Sequence, residues 1–130
     1  MTNDFNCALL LVEDDAELLD KNRRRFSRRG YTVTAVSRSS EAETVARQQH
    51  FHVAVLDRKL SGGDGLELMQ SLLRLHSDLH VILLSGQGDD ELKRAALRLG
   101  AYACLTQPCR VDELEATTWR AFKECEGVDR

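Results

Sequence analysis

Five apolar runs of strand length recur along the chain: ALLLV at 8–12, YTVTAV at 31–36, HVAVL at 52–56, HVILL at 80–84 and AYACL at 101–105. A stretch of helical period follows each. The first, third and fourth runs are almost continuous in Val, Leu and Ile, as expected of strands covered on both faces in a parallel sheet. The helical pattern is clearest in DDELKRAALRLG, residues 89–100, where Leu92, Ala95, Ala96 and Leu99 fall on one face. Acids Asp89 to Glu91 open this stretch, Arg98 stands in its last turn, and Gly100 follows as a left-handed stop. Ser40 with Glu43 predicts a capping box for a helix running to about Gln49, and Asp64 predicts the start of one running to about Leu75. Five strands alternating with five helices predict an α/β fold, a doubly wound parallel sheet with right-handed crossovers. In such sheets ligands bind at the carboxyl ends of the strands, so those ends are where chemistry is expected.

Composition narrows the class without naming a partner. A chain of 130 residues fits one domain, expected here over 1–130 with its core at about 8–124. Such a domain can bury roughly two-thirds of its unfolded surface. Apolar residues make up 42% and charged residues 30%, and the formal net charge of −3 is too small to indicate a nucleic-acid surface. The opening MTNDFNC lacks the basic and apolar segments of a signal peptide, and no apolar run approaches the ~18 residues of a membrane span, so a cytoplasmic location is expected. Cys7, Cys104, Cys109 and Cys125 show neither a C-x-x-C pair nor zinc-ligand spacing, and are expected to be free thiols, mostly buried.

The strand ends carry a distinctive set of groups. The first ends in Glu13, Asp14 and Asp15, and the third in Asp57. Carboxylates converging at one edge repel one another, an arrangement that a cation such as Mg²⁺ would relieve. Asp14 or Asp15 could equally cap the helix beginning near Ala16. Asp57 is harder to assign to structure, because it directly follows the apolar VAVL. The fourth strand ends on Ser85-Gly86. The fifth ends on Gln107-Pro108, which contains the single proline of the chain and can therefore adopt a cis bond.

Together VEDD, VLDRKLSGGDGLEL, VILLSG and GAYACLTQPC resemble the receiver domain of two-component response regulators, over about residues 8–124. The resemblance implies a flavodoxin-like strand order of 2-1-3-4-5. It also implies an acidic pocket of Glu13 and Asp14, with Mg²⁺ held by Asp14, Asp57 and the backbone carbonyl of Lys59. Asp57 would accept a phosphoryl group from a histidine kinase or histidine phosphotransfer protein, Ser85 would hydrogen-bond that group, and Asp64-Gly65 would end the loop after Asp57. The function implied is signal relay by conformational change or association, with no catalysis beyond self-catalysed phosphotransfer and autodephosphorylation. Within the family, SGQGDDELKRAALRLGAY looks most like receivers attached to transcriptional activators of the nitrogen-regulator type.

Three positions depart from the family pattern. Gln107 stands where a Lys is usual, Cys104 where an aromatic switch residue is usual, and Ser61 where the loop after the acceptor usually has Pro. A Lys would give the phosphoryl group a charge-assisted hydrogen bond of roughly 1.5–3 kcal/mol, whereas a neutral amide gives about 0.5–1.5 kcal/mol. The link from phosphoryl group to fifth strand is therefore expected to be weak. The alternative function is a pseudo-receiver, a protein-interaction module with little or no phosphorylation-dependent switching.

The remaining features have plainer readings. The Arg-rich NRRRFSRRG is expected to form the solvated side and last turn of the first helix, without direct nucleic-acid contact. Trp119 and Phe122 are expected in the core or at an interface edge, and the four histidines away from the carboxyl edge. A homodimer is expected through the fourth helix, fifth strand and fifth helix, with Lys93, Arg94 and Arg98 near Asp112, Glu113 and Glu115. Glu126 to Arg130 reads as a polar tail or the start of a linker.

Overall fold

The computed structural model describes residues 6–60 and 62–128, with side chains as far as Cys125. The chain runs β1 (Ala8–Val12), α1 (Ala16–Arg28), β2 (Thr32–Val36), α2 (Ser39–Gln48), β3 (Val53–Asp57), β4 (Lys59–Leu60), β5 (Gly63–Asp64), α3 (Gly65–Leu75), β6 (His80–Ser85), α4 (Asp90–Arg98), β7 (Ala103–Thr106) and α5 (Val111–Val128). Five strands pair in the order β2-β1-β3-β6-β7, and every neighbouring pair is parallel. This is the expected flavodoxin-like order, with β6 and β7 as the fourth and fifth strands of the sheet.

The sequence explains which strands are central. β1, β3 and β6 carry the near-continuous apolar runs, and their interior residues are buried. The two edge strands, TVTAV and ACLT, are only half-buried, which fits their mixed composition. Alternation along the central strands splits the core into two layers. Leu10, Leu56 and Leu83 face Ala42, Leu68, Met69 and Ala96 on one side of the sheet, and Leu11, Val55 and Leu84 face Phe26, Leu114 and Phe122 on the other. Helices α2, α3 and α4 therefore cover one face, and α1 and α5 the other.

Several boundaries differ from the sequence-based expectation. Helix α2 begins at Ser39, and Glu41 rather than Glu43 reaches back, its Oε1 accepting from the Ser37 and Arg38 N–H groups at 3.2 Å each. Glu43 instead faces Arg47 one turn on, at 3.7 Å. A short hairpin, β4 paired with β5, was not foreseen, because two-residue strands carry no periodicity. Gly62 lies near its tip with φ +83°, a left-handed conformation suited to glycine. Ser61 lies outside the described residues. Leu99, assigned to the buried face of α4, is 45% exposed, and its neighbour Leu97 is 52% exposed. The expected polar tail continues α5 as far as Val128.

The plainer readings divide. Arg23 and Arg24 pair with Asp20 on the exposed side of α1, as a solvated helix face should. Phe122 is buried, whereas Trp119 is largely exposed and carries the Lys123 ammonium 5.2 Å from its ring centroid. None of the four cysteines is in a disulfide, and Cys7 is the fully buried one. His50, His52 and His80 line a cavity of about 560 Å³ with Asp78 and Cys125, near the amino ends of β3 and β6.

Candidate functional site

Parallel pairing brings the ends of β1, β3 and β6 to one edge. Asp57 is the last residue of β3, in register with Leu84, and Val12 at the end of β1 is in register with Leu56. Glu13 and Asp14 follow β1 directly and so arrive beside Asp57. Among the described residues, Glu13, Asp14 and Asp57 form a group in which one carboxylate oxygen from each lies within 4.8 Å of the others.

Each carboxylate has a different environment. Asp15 caps α1, its Oδ1 accepting from the Glu17 and Leu18 N–H groups at 3.1 and 3.2 Å, which resolves the capping alternative and leaves Asp14 for the pocket. Glu13 is buried, and its Oε2 accepts from the Asp15 N–H at 3.0 Å. Burial foremost pushes the Glu13 carboxyl up to about 7, and its hydrogen bond to Asp57 and the charges of Asp57 and Asp14 add to that shift. In neutral form its O–H donates to the Asp57 carboxylate. Asp57 Oδ1 also accepts from the Lys59 N–H at 3.1 Å. Asp14 and Lys59 share the lining of a cavity of about 400 Å³ with Arg58, Leu60, Gly63 and Asp64.

The loop that presents Asp57 is held tightly. The Arg58 N–H donates to Leu84 O at 2.8 Å, and the Gly65 N–H to Arg58 O at 2.7 Å. Asp64 Oδ1 caps α3 through the Leu66 N–H at 2.9 Å. A Cβ on Gly65 would lie 2.2 Å from Asp57 O and 2.8 Å from Arg58 Cα, so only glycine lets α3 begin this close to the end of β3.

Ser85 and Gln107 complete the edge. Ser85 is fully buried, and its Oγ donates to Leu105 O over a long 3.4 Å. The Gln107 N–H donates to Ser85 O at 2.6 Å, and the Gln107-Pro108 peptide is cis. Gln107 lines a cavity of about 350 Å³ with Leu18, Asn22, Leu84 and Pro108, on the α1 and α5 side of the sheet. Cys104 is half-buried against the other layer.

Two residues at this edge were not singled out from the sequence. Arg58 Nη1 lies 3.4 Å from Asp89 Oδ2, and the same oxygen accepts from the Gly86 N–H at 3.2 Å. The only sequence signal was position: Arg58 follows the candidate acceptor, and Asp89 opens the segment after Ser85-Gly86.

The fold and this edge define a doubly wound α/β domain with an acidic pocket at the carboxyl ends of its strands. The chain belongs to the response regulator receiver domain family, which matches residues 9–118. It is 32% identical to the C4-dicarboxylate transport transcriptional regulatory protein DctD of Pseudomonas aeruginosa, over 92% of this chain and 26% of that protein. It is 36% identical to the transcriptional activator protein PfeR of the same organism, over 85% of this chain and 36% of the relative. The chain thus spans well under half the length of these curated relatives. Among solved structures, the receiver domain of Francisella response regulator 1452 superposes with a TM-score of 0.84 at 27% identity, covering 92% of this chain and 98% of that one. NtrX from Brucella abortus superposes with a TM-score of 0.86 at 26% identity, over 94% of this chain and 28% of that one. Receiver domains are signalling domains whose general function is phosphorylation-dependent relay. Among the described residues, no helix is long and apolar enough to cross a membrane.

Proposed function

We propose that residues 1–130 form one phosphoaccepting receiver domain in which Asp57 is the acceptor. A histidine kinase or histidine phosphotransfer protein supplies the phosphoryl group. An Asp57 carboxylate oxygen attacks the phosphorus of a phosphohistidine, the P–N bond breaks, the imidazole leaves with its electron pair, and an acyl phosphate forms. One observation carries the reading: at the end of β3, one Asp57 oxygen lies within 4.8 Å of one oxygen each of Glu13 and Asp14, in a pocket where burial pushes the Glu13 carboxyl up to about 7.

Such a pocket has more negative charge than it can ionise alone, so its donor set fits a hard divalent cation with oxygen ligands. Asp14, Asp57 and the Lys59 carbonyl would hold Mg²⁺, with Glu13 behind them. When bound, the ion would supply neutralisation of the charge that builds on the transferring oxygens. The chain's own residues position the reaction: the Lys59 N–H orients Asp57, Ser85 Oγ is free to exchange its long bond to Leu105 for a phosphoryl oxygen, and Gly65 keeps the loop close. The domain works as a cytoplasmic signalling module, and its output passes through conformational change or association of the α4-β7-α5 face. It makes no direct contact with nucleic acid or membrane.

The test is incubation with acetyl phosphate and Mg²⁺, read by intact mass. The wild-type chain is expected to gain one phosphoryl group that hydroxylamine removes, and Asp57→Asn none. A wild type that stays unmodified, with no amide shift near Asp57 on millimolar Mg²⁺ titration, overturns this reading in favour of a pseudo-receiver.

A further inference from the structure

Asp89 occupies the N-cap position of α4, where an Asp side chain ordinarily accepts from the second or third helical N–H. Asp15 and Asp64 do this at their own helices. Asp89 makes no such bond. Its Oδ2 turns back to the Gly86 N–H at 3.2 Å and to Arg58 Nη1 at 3.4 Å.

Both donors flank the candidate acceptor. Arg58 follows Asp57 and shares a cavity lining with Asp14, and Gly86 follows Ser85 at the end of the neighbouring strand. Asp89 thus holds an internal anion against the guanidinium and the amide that an anion attached to Asp57 would meet. The arrangement is exchangeable, because the ion pair is long and both side chains are partly solvated, at 37% and 28% exposure.

We propose that Arg58 and Asp89 form a charge-exchange latch that couples a phosphoryl group on Asp57 to α4. The proposal rests on the reading of Asp57 as acceptor and names the cation that position 107 lacks. A phosphoryl group carries about −1.5 to −2 charges and three acceptor oxygens, so it outcompetes a single carboxylate for a planar guanidinium and an N–H. Asp89, once released, has its ordinary partners within one turn, the Glu91 and Leu92 N–H groups. The latch therefore has two discrete arrangements, Asp89 on Arg58 and Gly86, or Asp89 capping α4, and the phosphoryl charge selects the second.

Beryllofluoride with Mg²⁺ serves as the phosphoryl probe, titrated against the 130-residue chain and followed by amide NMR, with thermal melts confirming that each variant folds. In wild type, the Gly86, Glu91 and Leu92 amides are expected to shift. Asp89→Ala, which frees both donors, is expected to bind the probe about fivefold or more tightly and to lose the Glu91 and Leu92 shifts. Arg58→Gln is expected to bind about tenfold more weakly, and Arg58→Lys to recover most of that loss. If the probe binds wild type but Asp89→Ala and Arg58→Gln change its affinity less than twofold, the latch is overturned and the acceptor reading stands. If wild type fails to bind and Asp89→Ala binds, the latch holds as an autoinhibitory contact. If neither binds, the latch falls together with the acceptor reading, an outcome separated from the previous two by the mass test on Asp57.

Discussion

Single positions at the carboxyl edge decide whether the pocket exists. At Gly65 a methyl group would sit 2.2 Å from Asp57 O, a distance that only movement of α3 or of the Asp57 backbone could relieve. Gly65→Ala is therefore expected to cost about 3 kcal/mol, the upper end for overpacking, in urea denaturation, and to weaken Mg²⁺ binding as well. Glu13 makes the opposite kind of prediction, one of pH. Its folded carboxyl titrates at about 7 against an ordinary 4.5, so the fold favours the protonated form. In metal-free protein, its contribution is fully present below about 4.5, declines as pH rises towards 7 and is gone above that. Stability of wild type minus that of Glu13→Gln, measured in EDTA by chemical denaturation, is expected to fall across that window. A flat difference would mean that the carboxyl is ionised throughout. Glu13, Asp14, Asp57, Ser85 and Gln107 were all legible as strand-end residues. Arg58 and Asp89 were not, because their roles depend on a contact across 31 residues that no local spacing encodes.

At the scale of elements, the apolar runs gave the strands to within a residue or two, since burial on both faces imposes unbroken Val, Leu and Ile. Errors fell where local chemistry had two equivalent solutions. Glu41 and Glu43 each stand three residues after a possible cap, and the chain uses the earlier one. Leu92, Ala95, Ala96 and Leu99 share a stripe, but the helix ends at Arg98, and Leu99 no longer follows it inward. The acids of α5 that were expected near Lys93, Arg94 and Arg98 also have other partners within the chain. Glu115 faces α1, pairing with Arg25 and with Arg29, while Asp112 pairs with Arg110. Arg25 and Glu115 are partly buried, so the pair links α1 to α5 more effectively than an exposed one. Glu115→Ala is expected to destabilise the domain by about 1 kcal/mol, with a further effect on hydrogen exchange in α1. No change in either would show that the pair only decorates the surface.

For the whole molecule, the question is how charge at one edge reaches a surface that a partner can read. Leu97 in α4 and Leu99 just after it are exposed and close in sequence to Arg94 and Arg98, while Glu113 lies on α5. Light scattering with and without beryllofluoride is expected to show a dimer favoured by the probe, and Leu97→Ser to reduce it. A monomer at high concentration in both conditions would rule out that face as a self-association surface.

A link from Asp57 to β7 would be a separate channel from the one proposed through α4. Gln107 contributes its backbone N–H to Ser85 O and lines a cavity with Leu18 and Leu84. A neutral amide gains roughly 1 kcal/mol less than an ammonium from a charged oxygen. Gln107→Lys is therefore expected to bind beryllofluoride about fivefold more tightly and to enlarge the amide shifts from Ser85 to Thr106 along β6 and β7. Combined with Arg58→Gln, it is expected to restore affinity and the β7 shifts but not the Glu91 and Leu92 shifts, because without the Arg58 guanidinium the phosphoryl charge at Asp57 has no cation through which to displace Asp89. If wild type already shows the full β7 shifts with beryllofluoride and Gln107→Lys adds nothing, the weakened link is wrong and the native amide of Gln107 supplies that contact.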